Sequence, residues 1–160
     1  MVRLRVLTID DWPLWQDVRL AALAEAPHSF KSRLEDWHCG GEERWRARLA
    51  MPGAHNIVAF LRGQAVGMAG GLPVDRDACE LRSVWVSPEA RGCGVGDLLV
   101  TVIEAWARRS GATTLRLAVI PGNGPAMTLY QRHGFDFSGE LGDLLSDNGV
   151  RERMTVKILR

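Results

Sequence analysis

Residues 84–96 read V-W-V-S-P-E-A-R-G-C-G-V-G. Glu80 to Ser87 is rich in β-branched and aromatic residues and reads as a strand, which Pro88 stops. Gly92, Gly94 and Gly96 follow at alternate positions. A helix is then expected from Asp97 to about Ser110, because Leu98, Leu99, Val102, Ile103 and Trp106 recur at helical spacing and Gly111 can cap its end. Strand, glycine turn and helix in succession make the crossover unit of an α/β fold. Such a turn can also hold an anion. Glycines bring backbone N–H groups close to a ligand, and the helix adds its unpaired first amides and the positive end of its dipole. A phosphate or diphosphate is the natural guest.

Working outward, the same reading gives seven strands and four helices in the order β-α-α-β-β-β-α-β-α-β-β. Val2 to Thr8 alternates as a half-buried strand, and Asp10 or Asp11 opens a helix that ends at Pro27. Glu42 to Ala50 is a second short helix. Asn56–Leu61 and Ala65–Leu72 form a hairpin across Arg62-Gly63-Gln64, with Pro73 to Asp77 as a polar turn. Leu115–Ile120 is a buried strand, Asn123–Arg132 a helix, and Phe135–Gly139 and Arg153–Leu159 the last strands, joined through Asp147-Asn148-Gly149. The hairpin ahead of the crossover makes the sheet mixed.

The chain has 160 residues, 46% hydrophobic and 24% charged, with a formal net charge of +1. One domain spanning 1–160 with one substantial core is the expectation. A near-neutral charge argues against a nucleic-acid or membrane-surface binder, and no run approaches the ~18 apolar residues of a membrane span. The alternating start, VRLRVLTIDDW, does not read as a secretory signal. Cys39, Cys79 and Cys93 are odd in number, with no Cys or His pair at zinc spacing, so no metal is expected and reduced cytoplasmic thiols are.

Two familiar phosphate loops fail on spacing. In a G-x-G-x-x-G count from Gly92 the last glycine is Asp97, and from Gly94 it is Leu99; no lysine stands where a P-loop needs one. The loop instead resembles motif A of the GNAT acyltransferases: Arg91, Gly94 and Gly96 fit its Arg/Gln-x-x-Gly-x-Gly/Ala pattern after a strand. Asn123, Ala126, Leu129, Tyr130 and Gly134-Phe135 resemble that family's motif B, N-x-x-A-x-x-L-Y-x-x-x-G-F. Trp15 to Phe30 resembles the start of many bacterial members of the family.

The resemblance implies a GNAT-type mixed, mostly antiparallel sheet flanked by helices, and acetyl-CoA as donor in direct transfer to an amine of a small molecule or peptide. It places the cofactor's diphosphate on the backbone of Arg91, Gly92, Cys93, Gly94, Val95 and Gly96, and its pantetheine arm along Val84, Trp85 and Val86. That strand would splay from Leu115–Ile120 to admit the thioester. Asn123 would touch the cofactor, cap its helix, or both. Asp97 is expected to point away from the phosphates. A possible homodimer is also implied.

Acetyl transfer needs a free amine, a donor for the thioester oxygen and a proton for the departing thiolate. The resemblance implies the Val86 N–H as oxyanion donor and Tyr130, the only tyrosine, as acid; the plainer reading of Tyr130 is a core aromatic. Glu80, six positions before Val86, is the base candidate, its plainer reading an ion pair with Arg82. Among the early aromatics Trp12, Trp15, Phe30, Trp37 and Trp45, a small core explains most, while Phe30 and Trp37 are candidates for an acceptor pocket. Cys93 reads as a plain small residue and His133 as a surface one. The rival readings are a catalytically silent acyl-CoA sensor or partner domain, and a nucleotide-phosphate enzyme, which would bind ATP or NAD.

Overall fold

The computed structural model describes residues 1–26, 41–121, 123–145 and 150–159. Phe30, Trp37, Cys39 and the Asp147–Gly149 turn lie outside them. The elements are β1 (Val2–Val6), α1 (Trp12–Glu25), α2 (Gly41–Leu49), β2 (His55–Leu61), β3 (Gln64–Asp75), β4 (Ala78–Val86), α3 (Val95–Arg109), β5 (Thr114–Val119), α4 (Gly124–Arg132), β6 (Asp136–Leu145) and β7 (Val150–Ile158). The strands form one seven-stranded sheet in the order β1-β2-β3-β4-β5-β7-β6. Only β4 and β5 pair in parallel; every other neighbour is antiparallel.

Helices cover both faces. On one, α3 sets Val95, Leu99, Val100, Ile103 and Ala107 against Ile57, Ala59, Ala69, Leu81, Leu115 and Leu117. On the other, Trp15, Val18, Ala22 and Leu23 of α1 and Trp45 of α2 meet Val58, Met68 and Trp85. Trp15 and Trp45 are 2% and 1% exposed, so these two are core residues, as their plainer reading holds. The central strands are buried on both sides, which is why Ile57-Val58-Ala59 is continuously apolar rather than alternating.

Several boundaries differ from the sequence reading, each for a local reason. The first hairpin turns on two residues, since Arg62 (φ 53) and Gly63 (φ 79) both take the left-handed conformation that closes a tight turn, and Gln64 pairs with Leu61. β3 runs on through Pro73 to Asp75, the proline standing where the pairing with β4 is irregular. β6 extends beyond Gly139, whose φ of 87 makes an irregularity in the strand rather than its end.

Gly71 fixes how closely α3 lies on the sheet. A Cβ there would come within 2.3 Å of the Trp106 ring, itself stacked on His55 at 5.5 Å. Gly71→Ala is therefore expected to destabilise the fold by about 1–3 kcal/mol through overpacking, read as a lower urea midpoint at unchanged slope.

Candidate functional site

β4 and β5 pair only from Ala78–Thr114 to Leu81–Leu117. Beyond that β5 stays with β7 as far as Val119, and β4 stays with β3 as far as Val86, so the two strands part. The cause lies in β4. Arg82 pairs with Gly70 and Trp85 with Met68, so Ser83 and Val84 together stand opposite Ala69. This is a bulge, and Ser83 holds φ at 59, a conformation that costs a non-glycine residue about 1–2 kcal/mol. The bulge bends the strand and shifts its alternation: Cys79, Leu81, Val84 and Val86 all belong with the α3 face, and Trp85 with the other.

The gap carries directed backbone groups. Ser87 N–H donates to Val66 O at 2.7 Å, toward β3. Alternation along a strand then turns the Val86 N–H the opposite way, to the side β5 has left. The Val86 carbonyl accepts from Arg91 Nε at 3.1 Å. Arg91 also forms an ion pair with Glu25 at the end of α1, so one guanidinium ties the glycine loop to β4 and to α1.

In the loop Gly92 and Gly94 have φ of 83 and 81, and Gly94 directly precedes α3. Cys93 N–H is used internally, on Ala90 O at 3.3 Å, and Leu98 N–H reaches Gly94 O at 3.1 Å. The N–H groups of Gly92, Gly94, Val95, Gly96 and Asp97 have no acceptor among the described residues. They form a bank of donors at the positive end of a 15-residue helix.

Asp97, the one acid in that first turn, is engaged from α4. Its Oδ1 accepts from Arg132 Nη2 at 2.9 Å and lies 2.7 Å from His133 Nε2. These bonds, the His133 one foremost, hold the carboxyl below its ordinary value. His133 is thus a partly buried partner of Asp97 rather than a plain surface residue. Asn123 caps α4, its Oδ1 accepting from Ala126 N–H at 3.3 Å. Tyr130 is 6% exposed and meets Phe135 edge-on, with centroids 6.0 Å apart. Burial pushes its phenol above the ordinary value, and the hydroxyl has no hydrogen-bond partner among the described residues.

These elements enclose a cleft of about 670 Å3. Val84, Trp85, Val86, Arg91, Gly92, Gly94, Val95, Gly96, Asn123 and Tyr130 line it. Cys93 and Glu80 are not on its wall. The Cys93 thiol is free and exposed. Glu80 sits on the paired half of β4, with its carboxylate accepting from Arg82 Nε at 2.9 Å. At ~3.3 Å per residue it is about 20 Å from Val86 along the strand, and its side chain alternates to the face opposite Leu81. Glu25 and Arg132 also line the cleft. Nothing in the sequence singled them out, because Glu25 meets Arg91 across 66 residues. No group of three or more potential metal ligands occurs among the described residues, and no described helix is long and apolar enough to cross a membrane.

A family model described as "Acetyltransferase (GNAT) family" matches residues 15–135, a span that takes in α1, the bulged strand, the glycine loop and Tyr130. The chain belongs to the GNAT acetyltransferase family. An IAA acetyltransferase of Azospirillum brasilense is 32% identical over 96 residues, 59% of this chain and 62% of that one. The chain spans less than two thirds of the length of the curated relatives it matches first. Among solved GNAT folds, a ribosomal-protein-alanine N-acetyltransferase from Brucella melitensis superposes with a TM-score of 0.73 at 27% identity, over 98% of this chain and 99% of that one. The PaiA N-acetyltransferase from Thermoplasma acidophilum, solved in complex with coenzyme A, gives 0.77 at 17% identity over 99% of both.

Proposed function

We propose that this GNAT domain transfers acetyl from acetyl-CoA directly to an amine bound on the α1/α2 side of the sheet. The observation that carries the reading is the coincidence, in one cleft, of a bank of unbonded amides and a parted pair of strands. The N–H groups of Gly92 and Gly94 to Asp97 suit a diphosphate, while the unpaired edge of β4 suits an amide-bearing arm. A volume of about 670 Å3 is ample for such a ligand.

The bound thioester supplies an activated acyl group. The Val86 N–H points into the gap as donor to the carbonyl oxygen that gains charge on attack. Tyr130 lines the same cleft, protonated and without a competing partner, and supplies the proton to the departing sulfur. The two acids on the cleft wall, Glu25 and Asp97, are both held by arginines. We therefore assign no protein base and take the acceptor to react as its free amine. The free thiols of Cys79 and Cys93 suit a cytoplasmic setting.

The test is thiol release from acetyl-CoA across a panel of amines, amino acids and peptides, with calorimetry for acetyl-CoA, ATP and NAD. Release with at least one amine, rising with pH toward the amine's own pKa, is expected, with no tight ATP or NAD binding. Acetyl-CoA binding with complete silence across the panel means a sensor instead.

A further inference from the structure

The half of β4 that borders the cleft is paired on one side only. Leu81 is the last residue matched to β5, whereas pairing to β3 runs on to Val86, opposite Gly67. A strand residue's own N–H and C=O point the same way. Ser87 N–H faces β3, so the Val86 N–H and the Val86 carbonyl both face the gap. A strand end with one free edge needs a second support if its amide is to keep a fixed direction.

Arg91 takes up that carbonyl. Its backbone is set by the turn after Pro88. Ala90 N–H donates to Ser87 O at 3.0 Å, and Arg91 N–H donates to Pro88 O and Cys93 N–H to Ala90 O, both at 3.3 Å. The side chain then folds back over five residues to place Nε 3.1 Å from Val86 O. Its Nη2 donates to both carboxylate oxygens of Glu25, the Oε2 contact being 3.1 Å. Glu25 ends α1, whose last turns are sunk in the core through Ala22 and Leu23, 0% and 1% exposed. One planar fork therefore joins the strand end to an anchored helix, a geometry that a lysine, as a point charge, does not reproduce.

Stability is not what this contact is suited to supply. The Arg91 and Glu25 side chains are 52% and 25% exposed, and exposed ion pairs add little to it. Their place fits a different role, since Glu25, Val86 and Arg91 all stand on the wall of the large cleft. We propose that Arg91 and Glu25 are positioning residues. Arg91 fixes Val86 from the carbonyl side, so that the N–H of the same residue meets the thioester oxygen, and Glu25 holds Arg91 in place. The inference rests on the acetyltransfer reading above, in which the Val86 N–H is the oxyanion donor, and adds two side chains that act through it. A misplacement of about 1 Å at such a donor costs up to about 100-fold in rate.

The experiment uses two conservative variants. Arg91→Lys keeps the charge and loses the fork, and Glu25→Gln keeps the length and loses the ion pair. For thiol release, kcat is expected to fall about 10- to 30-fold in Arg91→Lys and about three- to fivefold in Glu25→Gln. Acetyl-CoA affinity by calorimetry should stay within about threefold of wild type, and the melting temperature within about 2 °C. The double variant should be no slower than Arg91→Lys alone, because Glu25 acts through Arg91. Nitrogen-15 labelling of valine gives a readout that needs no turnover. Acetyl-CoA should shift the Val86 amide proton in wild type and shift it less than half as far in either variant, which keeps the test decisive if one of them folds poorly. A kcat within twofold of wild type in Arg91→Lys, or an undiminished Val86 shift, overturns the positioning role and leaves acetyltransfer standing. Weaker acetyl-CoA binding at unchanged kcat makes Arg91 a cofactor contact instead, and additive losses in the double variant remove Glu25 from the arrangement. A panel in which no amine reacts, while the Val86 amide still answers acetyl-CoA in an Arg91-dependent way, overturns the transfer reading alone.

Discussion

Gly94→Glu is expected to weaken acetyl-CoA binding by 100-fold or more while the protein stays folded. A Cβ at this position meets nothing within 4 Å, so a side chain has room. Its φ of 81 still strains any other residue, by about 1–3 kcal/mol. The larger effect is electrostatic. The residue stands among the free amides that open α3, and a carboxylate there lies within about 5 Å of any diphosphate they hold. At an effective dielectric of ~20, two unit charges at that distance repel by roughly 3 kcal/mol, which is about two orders of magnitude in affinity. Gly94→Ala separates the two causes, since it carries the strain without the charge. Its urea midpoint should fall, but its affinity for acetyl-CoA should stay within about fivefold of wild type. Calorimetry on both variants decides the matter. Retention of Gly94→Glu affinity within threefold of wild type would move the diphosphate away from this loop.

The glycine loop was legible because its signals are local. Proline ends a strand, glycines permit a turn and an apolar stripe declares a helix, all within about thirty residues. The cleft beside it was legible only through family resemblance. Glu80 to Ser87 reads as one uninterrupted strand, and no rule of composition asks Ser83 to adopt a positive φ. That conformation belongs to the register of β4 against β3, where two residues stand opposite one, which is a tertiary effect. Glu80 shows the converse hazard. Six residues look close in a sequence, but an extended chain turns them into a distance no side chain spans. Asp97 looked awkward beside an anion site because its neutralising partners, Arg132 and His133, are 35 and 36 residues away.

Tyr130→Phe is expected to lower kcat by about 100-fold or more, the usual scale for a positioned acid, while the KM for acetyl-CoA changes less than threefold. The substitution removes one oxygen. The ring remains on α4 against Phe135, and the hydroxyl gives up no internal hydrogen bond, so the melting temperature should hold or rise slightly. The pH dependence follows from the direction of the shift. Burial raises the phenol above its ordinary value of 10.0, so it keeps its proton through the neutral and mildly alkaline range. Wild-type kcat should therefore show no alkaline limb from this group below about pH 10. The same displacement acts on stability. A folded value above the unfolded one adds stability that is complete below about pH 10 and is lost as pH climbs above it. The phenylalanine variant lacks that contribution, so its unfolding free energy should fall less steeply than wild type between about pH 10 and 11. A purely structural tyrosine would show the stability difference without the kinetic one. A kcat within twofold of wild type would remove Tyr130 from the chemistry and leave it as the aromatic that joins α4 to the start of β6.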